Sequence, residues 1–140
     1  MIEFFQEGSF RIHAKEKYAD WIGRIIVSEE SFVGIINFIF CEDDYLLKVN
    51  QQHLKHDYFT DIITFDYTDG NIVSGDVFIS TERIEENAGL FGVNFNTELL
   101  RVMSHGILHL LGYNDKSEDE VIKMRAKEEE KIKMFHVEQS

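Results

Sequence analysis

The run Phe32-Val33-Gly34-Ile35-Ile36-Asn37-Phe38-Ile39-Phe40 constrains this chain more than any other segment. Val, Ile and Phe fill it almost without interruption, and β-branched and aromatic side chains pack well on a pleated surface. So apolar a run, without regular polar alternation, reads as an interior strand covered on both faces. The chain has the material for this, since 44% of its 140 residues are hydrophobic and 12 are Phe. That length suits one compact domain and leaves little room for a second with its own core. Proline is absent, where an average usage near 5% would give roughly seven, so no proline-rich linker divides the chain. One continuous domain over residues 1–140 is expected.

Hydrophobic period places the other elements. Ile2–Phe5 reads as a short strand, and His13–Val27 carries Tyr18, Trp21, Ile22, Ile25 and Ile26 at helical spacing. Asp43 and Asp44 are suited to cap a helix running through Tyr45, Leu46, Leu47 and Val49. Asp61–Tyr67 and Ser74–Ser80 are β-rich, and the Asp69-Gly70 pair between them predicts a hairpin with antiparallel strands. Thr81 opens a helix to about Leu90, and Asn96 caps another through Leu111. Ser117 with Glu120 forms a capping box for a last helix to about Phe135. Strands early and helices late predict an α+β fold over a doubly wound sheet.

Charge narrows the partners. Asp and Glu number 26 against 14 Lys and Arg, a formal charge of −12, so the long-range field repels phosphate-rich molecules. General coating of nucleic acid is excluded, while local recognition is not. Cys41 is the single cysteine, so no internal disulfide forms, and the acidic, interrupted start lacks the basic flank and apolar run of an export signal. A cytoplasmic protein is expected. No stretch approaches the roughly 18 uninterrupted apolar residues of a membrane span, so no membrane association is expected.

The chemistry concentrates in Ser104-His105-Gly106-Ile107-Leu108-His109-Leu110-Leu111-Gly112-Tyr113-Asn114-Asp115. Residues four apart on a helix stand one turn above each other, so the imidazoles of His105 and His109 can meet one ion. Gly112 is placed to take the left-handed conformation that ends a helix, turning the chain so that Asp115 returns towards the same point. Two imidazoles and a carboxylate leave a fourth position for water, the arrangement of a catalytic zinc, with one Zn2+ per chain expected. The bland alternatives are hydrogen-bonded core histidines and an Asp115 that merely caps the following helix. The same spacing overlaps the extended metalloprotease signature, but the general-base Glu of those enzymes is Gly106 here, which disfavours peptide hydrolysis. Gly106 either opens space beside the ion or lets the helix pack closely on a neighbour.

The segment from His105 to Asp115 resembles the His-Gly-x-Leu-His-Leu-x-Gly-Tyr-x-His signature of the YbeY family of bacterial rRNA-maturation endoribonucleases. Asn50, Asp57, Thr60-Asp61-Ile62-Ile63-Thr64-Phe65 and Gly75-Asp76-Val77-Phe78-Ile79-Ser80 resemble further family blocks in order and spacing. The likeness covers roughly residues 34–125. It implies an α+β fold with a small mixed β-sheet packed against helices, a zincin-like metal-binding helix, zinc, and cleavage of single-stranded RNA at the 3′ end of small-subunit rRNA. The implied partners are single-stranded rRNA and the ribosomal small subunit or its associated proteins.

Three departures stand out. Asp115 replaces the family's third His, which brings negative charge and makes the ion a weaker Lewis acid. The family's substrate-facing arginine falls on Leu54, leaving Lys55, flanked by His53 and His56, as a replacement cation or proton donor, or as an ordinary solvated loop charge. Asp66 replaces a proline and is expected to alter only the strand exit. Arg83 is a second candidate for the phosphate chain, and Tyr58, Phe59 and Tyr113 are candidates for stacking on unpaired bases, with Phe59 read first as a core residue. The last helix mixes lysines with acids and reads as a solvated, structural face. The expected function is a zinc-dependent single-strand endoribonuclease. A non-catalytic, metal-binding ribosome-assembly factor is the alternative, and a metallopeptidase ranks third.

Overall fold

The computed structural model describes residues 1–54 and 60–137. Its elements run β1 (Ile2–Gln6), α1 (Lys15–Ser28), β2 (Phe32–Cys41), α2 (Asp43–His53), β3 (Ile62–Asp66), β4 (Ile72–Ser80), α3 (Thr81–Phe91), α4 (Phe95–Leu110) and α5 (Glu118–Val137). The strands form one mixed sheet in the order β1-β2-β4-β3. β1 and β4 lie parallel to β2, while β3 pairs with β4 antiparallel from Ile62 opposite Ile79 to Asp66 opposite Gly75. The α+β expectation is met. Gly70, at φ 62°, opens the two-residue turn between Asp69 and Ile72, which bond each other's backbone at 3.0 and 3.1 Å. The predicted hairpin is therefore present.

Alternation along the strands separates two layers. Ile36, Phe38 and Phe40 of β2 and Val73, Val77 and Ile79 of β4 face the main core, where they meet Trp21, Ile22 and Ile25 of α1 and Leu100, Met103 and Ile107 of α4. α5 closes this side, with Phe135 edge-on to Trp21 and the Trp21 Nε1 donating to the Lys131 carbonyl at 2.6 Å. On the opposite face α2 covers β3 and β4 through a smaller cluster of Cys41, Leu46, Val49 and Ile63 with Phe65 and Phe78. That cover is partial. Ile35 of β2 stays 64% exposed, so β2 is buried on one face along part of its length rather than on both as its apolar run predicts.

Two helix starts differ from expectation, the first through a distant side chain and the second through a local one. Glu42 occupies the N-cap of α2, and the Asp43 amide is satisfied by the Glu82 carboxylate at 2.7 Å. Asp43 instead accepts the Ser80 hydroxyl at 2.5 Å and pairs with Arg83 at 3.0 Å. Asn94, two residues before the predicted cap, accepts from the Thr97 amide, while Asn96 accepts the Tyr18 hydroxyl. The Ser117–Glu120 capping box forms as predicted, with reciprocal bonds of 3.1 and 3.0 Å. Among the described residues, no helix is long and apolar enough to cross a membrane.

Candidate metal centre

α4 carries Arg101, His105 and His109 at successive four-residue steps, so the three side chains share one helix face. The opposite side of the helix enters the core through Val102, Met103 and Ile107. Gly106 lies against the sheet: a Cβ there would come within 2.9 Å of Ile62 Cδ1 and of Val77 Cγ1. Of its two sequence readings, close packing is the one realised. The metalloprotease base is therefore replaced by a contact with β3 and β4.

The end of α4 is built by a two-bond C-cap. Tyr113 N donates to the Leu108 carbonyl and Gly112 N to that of His109, both at 3.0 Å, while Gly112 adopts φ 99°. This Schellman geometry satisfies carbonyls that the helix end would leave bare and reverses the chain. The reversal does two things for the site. It sets the Tyr113 carbonyl 3.0 Å from His109 Nδ1, and it brings Asp115 Oδ2 to 3.3 Å from His105 Nε2 and 3.4 Å from His109 Nε2. The two Nε2 atoms are 2.9 Å apart. The three side chains singled out from the sequence thus converge, each offering one ligand atom within 4.8 Å of the others.

The hydrogen bonds behind the rings decide what the front can hold. His105 Nδ1 lies 2.6 Å from Glu128 Oε2, and His109 Nδ1 faces a carbonyl. Both partners accept, so an Nδ1–H on each ring satisfies them and leaves the two Nε2 atoms, which face each other and a carboxylate oxygen, available as metal ligands. Three such atoms so close need a shared proton or a metal cation between them. Ligands on a tetrahedral ion with bonds of about 2.0–2.1 Å sit roughly 3.4 Å apart, close to the two distances involving Asp115. The donor set fits a divalent metal. His105 and His109 side chains are 17% and 27% exposed, and Asp115 is 39% exposed, so the site opens to solvent on the carboxylate side.

Two buried ionic groups support the centre, and sequence reasoning missed both. Glu128, 2% exposed, also meets Arg101 at 3.5 Å and Arg125 at 3.6 Å. Arg101 in turn holds Glu98, itself 1% exposed, at 2.5 Å and reaches Asp61 at 3.8 Å. Burial pushes the Asp61 carboxyl up, against the opposing pull of Arg101. On the other flank, Tyr113 donates its hydroxyl to Glu29 at 2.5 Å, and Glu29 binds Lys131 at 2.8 Å and Lys127 at 3.1 Å. Burial opposes ionisation of Glu29, but Lys131, the Tyr113 hydroxyl and Lys127 outweigh it and hold the carboxyl down to about 2.

Other sequence candidates lie elsewhere. The Tyr113 ring is occupied by the ammonium groups of Lys123 and Lys127, 5.4 and 5.7 Å from its centroid, and serves as an anchor for the metal loop rather than as a stacking platform. Arg83 is engaged by Asp43 and Glu86. His53 ends α2 with its ring edge against Phe65, on the sheet face opposite α4, so it does not join the two imidazoles. Leu54 is the C-cap of α2 and is 38% exposed. Lys55, with His56, Asp57, Tyr58 and Phe59, lies outside the described residues. The Asp66 carboxylate accepts from the Thr68 amide at 2.9 Å, shaping the strand exit. α5 is not the solvated face its charges suggest, since Glu128 and Lys131 are both buried.

Fold and site together define a class: an α+β protein with a helix-borne histidine pair and a turn-borne carboxylate whose ligand atoms could hold a metal ion. Residues 4–136 match the family model described as endoribonuclease YbeY. Endoribonuclease YbeY of Flavobacterium johnsoniae is 55% identical over 139 residues, covering 99% of this chain and all of the relative. That of Christiangramia forsetii is 53% identical, covering 99% and 96%. The solution structure of TM1509 from Thermotoga maritima superposes with a TM-score of 0.70 at 28% identity, over 99% of this chain and 91% of that one. The chain belongs to the endoribonuclease YbeY family, and the enzyme class expected from its sequence stands.

Proposed function

We propose that this chain is a zinc-dependent endoribonuclease that cuts single-stranded RNA during maturation of the 3′ end of small-subunit rRNA, with residues 1–140 acting as one catalytic domain in the cytoplasm. The observation that carries the reading is the convergence of His105 Nε2, His109 Nε2 and Asp115 Oδ2, with both rings fixed from behind at Nδ1. His105, His109 and Asp115 would hold the ion. When bound, zinc supplies Lewis-acid stabilisation of a phosphodiester and a water of lowered pKa. Glu128 and the Tyr113 carbonyl orient the two imidazoles, and the Asp115 carboxylate offsets part of the ion's charge. Lys55, beside Leu54 in the position where the family carries an arginine, is the candidate cation for the RNA backbone. The −12 charge makes binding of free RNA weak and salt-sensitive, so the ribosomal small subunit or an associated protein presents the strand.

The assembly-factor alternative keeps one point in its favour, the replacement of a cationic side chain by Leu54. Incubation of zinc-loaded protein with a single-stranded small-subunit rRNA 3′ fragment and with casein separates the readings. Shortened RNA that is absent with His109→Ala is expected. Casein cleavage would overturn the nuclease reading, and intact RNA with and without small subunits would favour the assembly factor.

A further inference from the structure

We infer that Glu128, held in place by Arg101, is a positioning residue that fixes the tautomer and orientation of His105 and so sets the metal affinity of the centre. This rests on the metal reading above and concerns a residue 13 positions beyond the last proposed ligand, on a different helix. Four observations support it. Glu128 is 2% exposed in a helix whose neighbouring Glu129 faces solvent, so burying this carboxylate needs a reason. Its Oε2 lies 2.6 Å from His105 Nδ1, within charge-assisted hydrogen-bond range. Its other oxygen meets Arg101, which stands one helical turn before His105 on the same face of α4. Arg101 is also gripped by Glu98, so the guanidinium cannot follow a shifting partner.

The chemistry follows from what a carboxylate can accept. An ionised Glu128 has no proton to give, so it leaves His105 only the Nδ1–H form and presents the Nε2 lone pair to the centre. Glutamine has nearly the same shape but carries an NH2 group as well as a carbonyl, and its donor face would stabilise the opposite ring form, with the proton on Nε2. Charge also enters. Asp61, Glu98 and Glu128 surround Arg101, and Arg125 reaches Glu128 from the exposed side.

The test compares wild type, Glu128→Gln, Glu128→Asp and the exposed control Glu129→Gln. Nitrogen-15 imidazole shifts of the metal-free proteins report the His105 tautomer, and competition with a chromogenic chelator reports zinc affinity. The expected result is Nδ1–H at His105 in wild type and Glu129→Gln, a mixed or Nε2–H ring in Glu128→Gln, and zinc affinity lower by about 10–100-fold in that variant. Glu128→Asp should keep the Nδ1–H form with an intermediate affinity loss, because the shorter arm cannot reach both partners. Wild-type tautomer and zinc affinity within twofold of wild type in Glu128→Gln overturn the inference. If circular dichroism shows that variant unfolded, wild-type affinity in Glu128→Asp overturns it instead. A wild-type protein that takes up no zinc sinks the metal reading, while the tautomer pattern still decides what Glu128 does to the ring.

Discussion

His105 and His109 act as a pair because each ring is held twice, once by its helix and once through Nδ1. A helix alone sets where an imidazole starts; the acceptor behind it sets which nitrogen points forward. Gly106, between them, is equally specific. With Ile62 Cδ1 and Val77 Cγ1 in the path of any Cβ, Gly106→Ala should push α4 away from β3 and β4. Overpacking of this kind costs about 1–3 kcal/mol, and urea denaturation should show it as a lower midpoint. An unchanged midpoint would mean that the strand side chains give way freely. At this scale the sequence was informative where geometry is local. His105, His109, Gly112 and Asp115 were legible because a four-residue step and one glycine turn suffice to bring them together. Glu128 was not, because its contact with His105 spans 23 residues of chain.

Among the elements, α5 carries more of the site than its composition suggests. Its buried stripe is Met124, Glu128, Lys131 and Phe135, a helical period with two charges at positions that the pattern reserves for apolar side chains. That interruption was visible in the sequence, but the surrounding Glu and Lys run disguised it as a solvated face. Lys131 ties α5 to Glu29 at the end of α1, and Glu29 holds the Tyr113 hydroxyl, so one carboxylate links two helices to the metal loop. Its carboxyl is depressed to about 2 from an unfolded value near 4.5. A depressed pKa contributes stability that is fully present above the unfolded value and lost as pH falls towards the folded one. Wild type should therefore lose stability between about pH 4.5 and 2 more steeply than Glu29→Gln, as chemical denaturation at a series of pH values would show. Parallel curves would remove Glu29 from the link. The helix starts teach the same lesson about range: Ser117 caps locally and was predicted, whereas Glu82 satisfies the start of α2 from 39 residues away and was not.

The whole molecule places the site at one edge of a four-stranded sheet. α4 packs on the Ile62 and Val77 side, against edge strand β3 and its neighbour β4. A cleft of about 1030 Å3 opens between α1 and α5 and is bordered by none of the three proposed ligands. The opening beside His105 and Asp115 is only about 100 Å3, lined also by Arg101, Met124, Arg125 and Glu128. So small an opening, in a chain of net charge −12, does not enclose a drug-sized ligand. The fold class was legible from the order of strand-like and helix-like segments. The partial cover of β2 was not, because the placement of α2 is a packing choice that no single segment encodes. Crystals grown with zinc and measured on both sides of the zinc absorption edge test the central claim most directly. One anomalous peak per chain, bonded to His105 Nε2, His109 Nε2 and an Asp115 carboxylate oxygen, is the predicted result; a peak at other side chains, or none between these three, would contradict it.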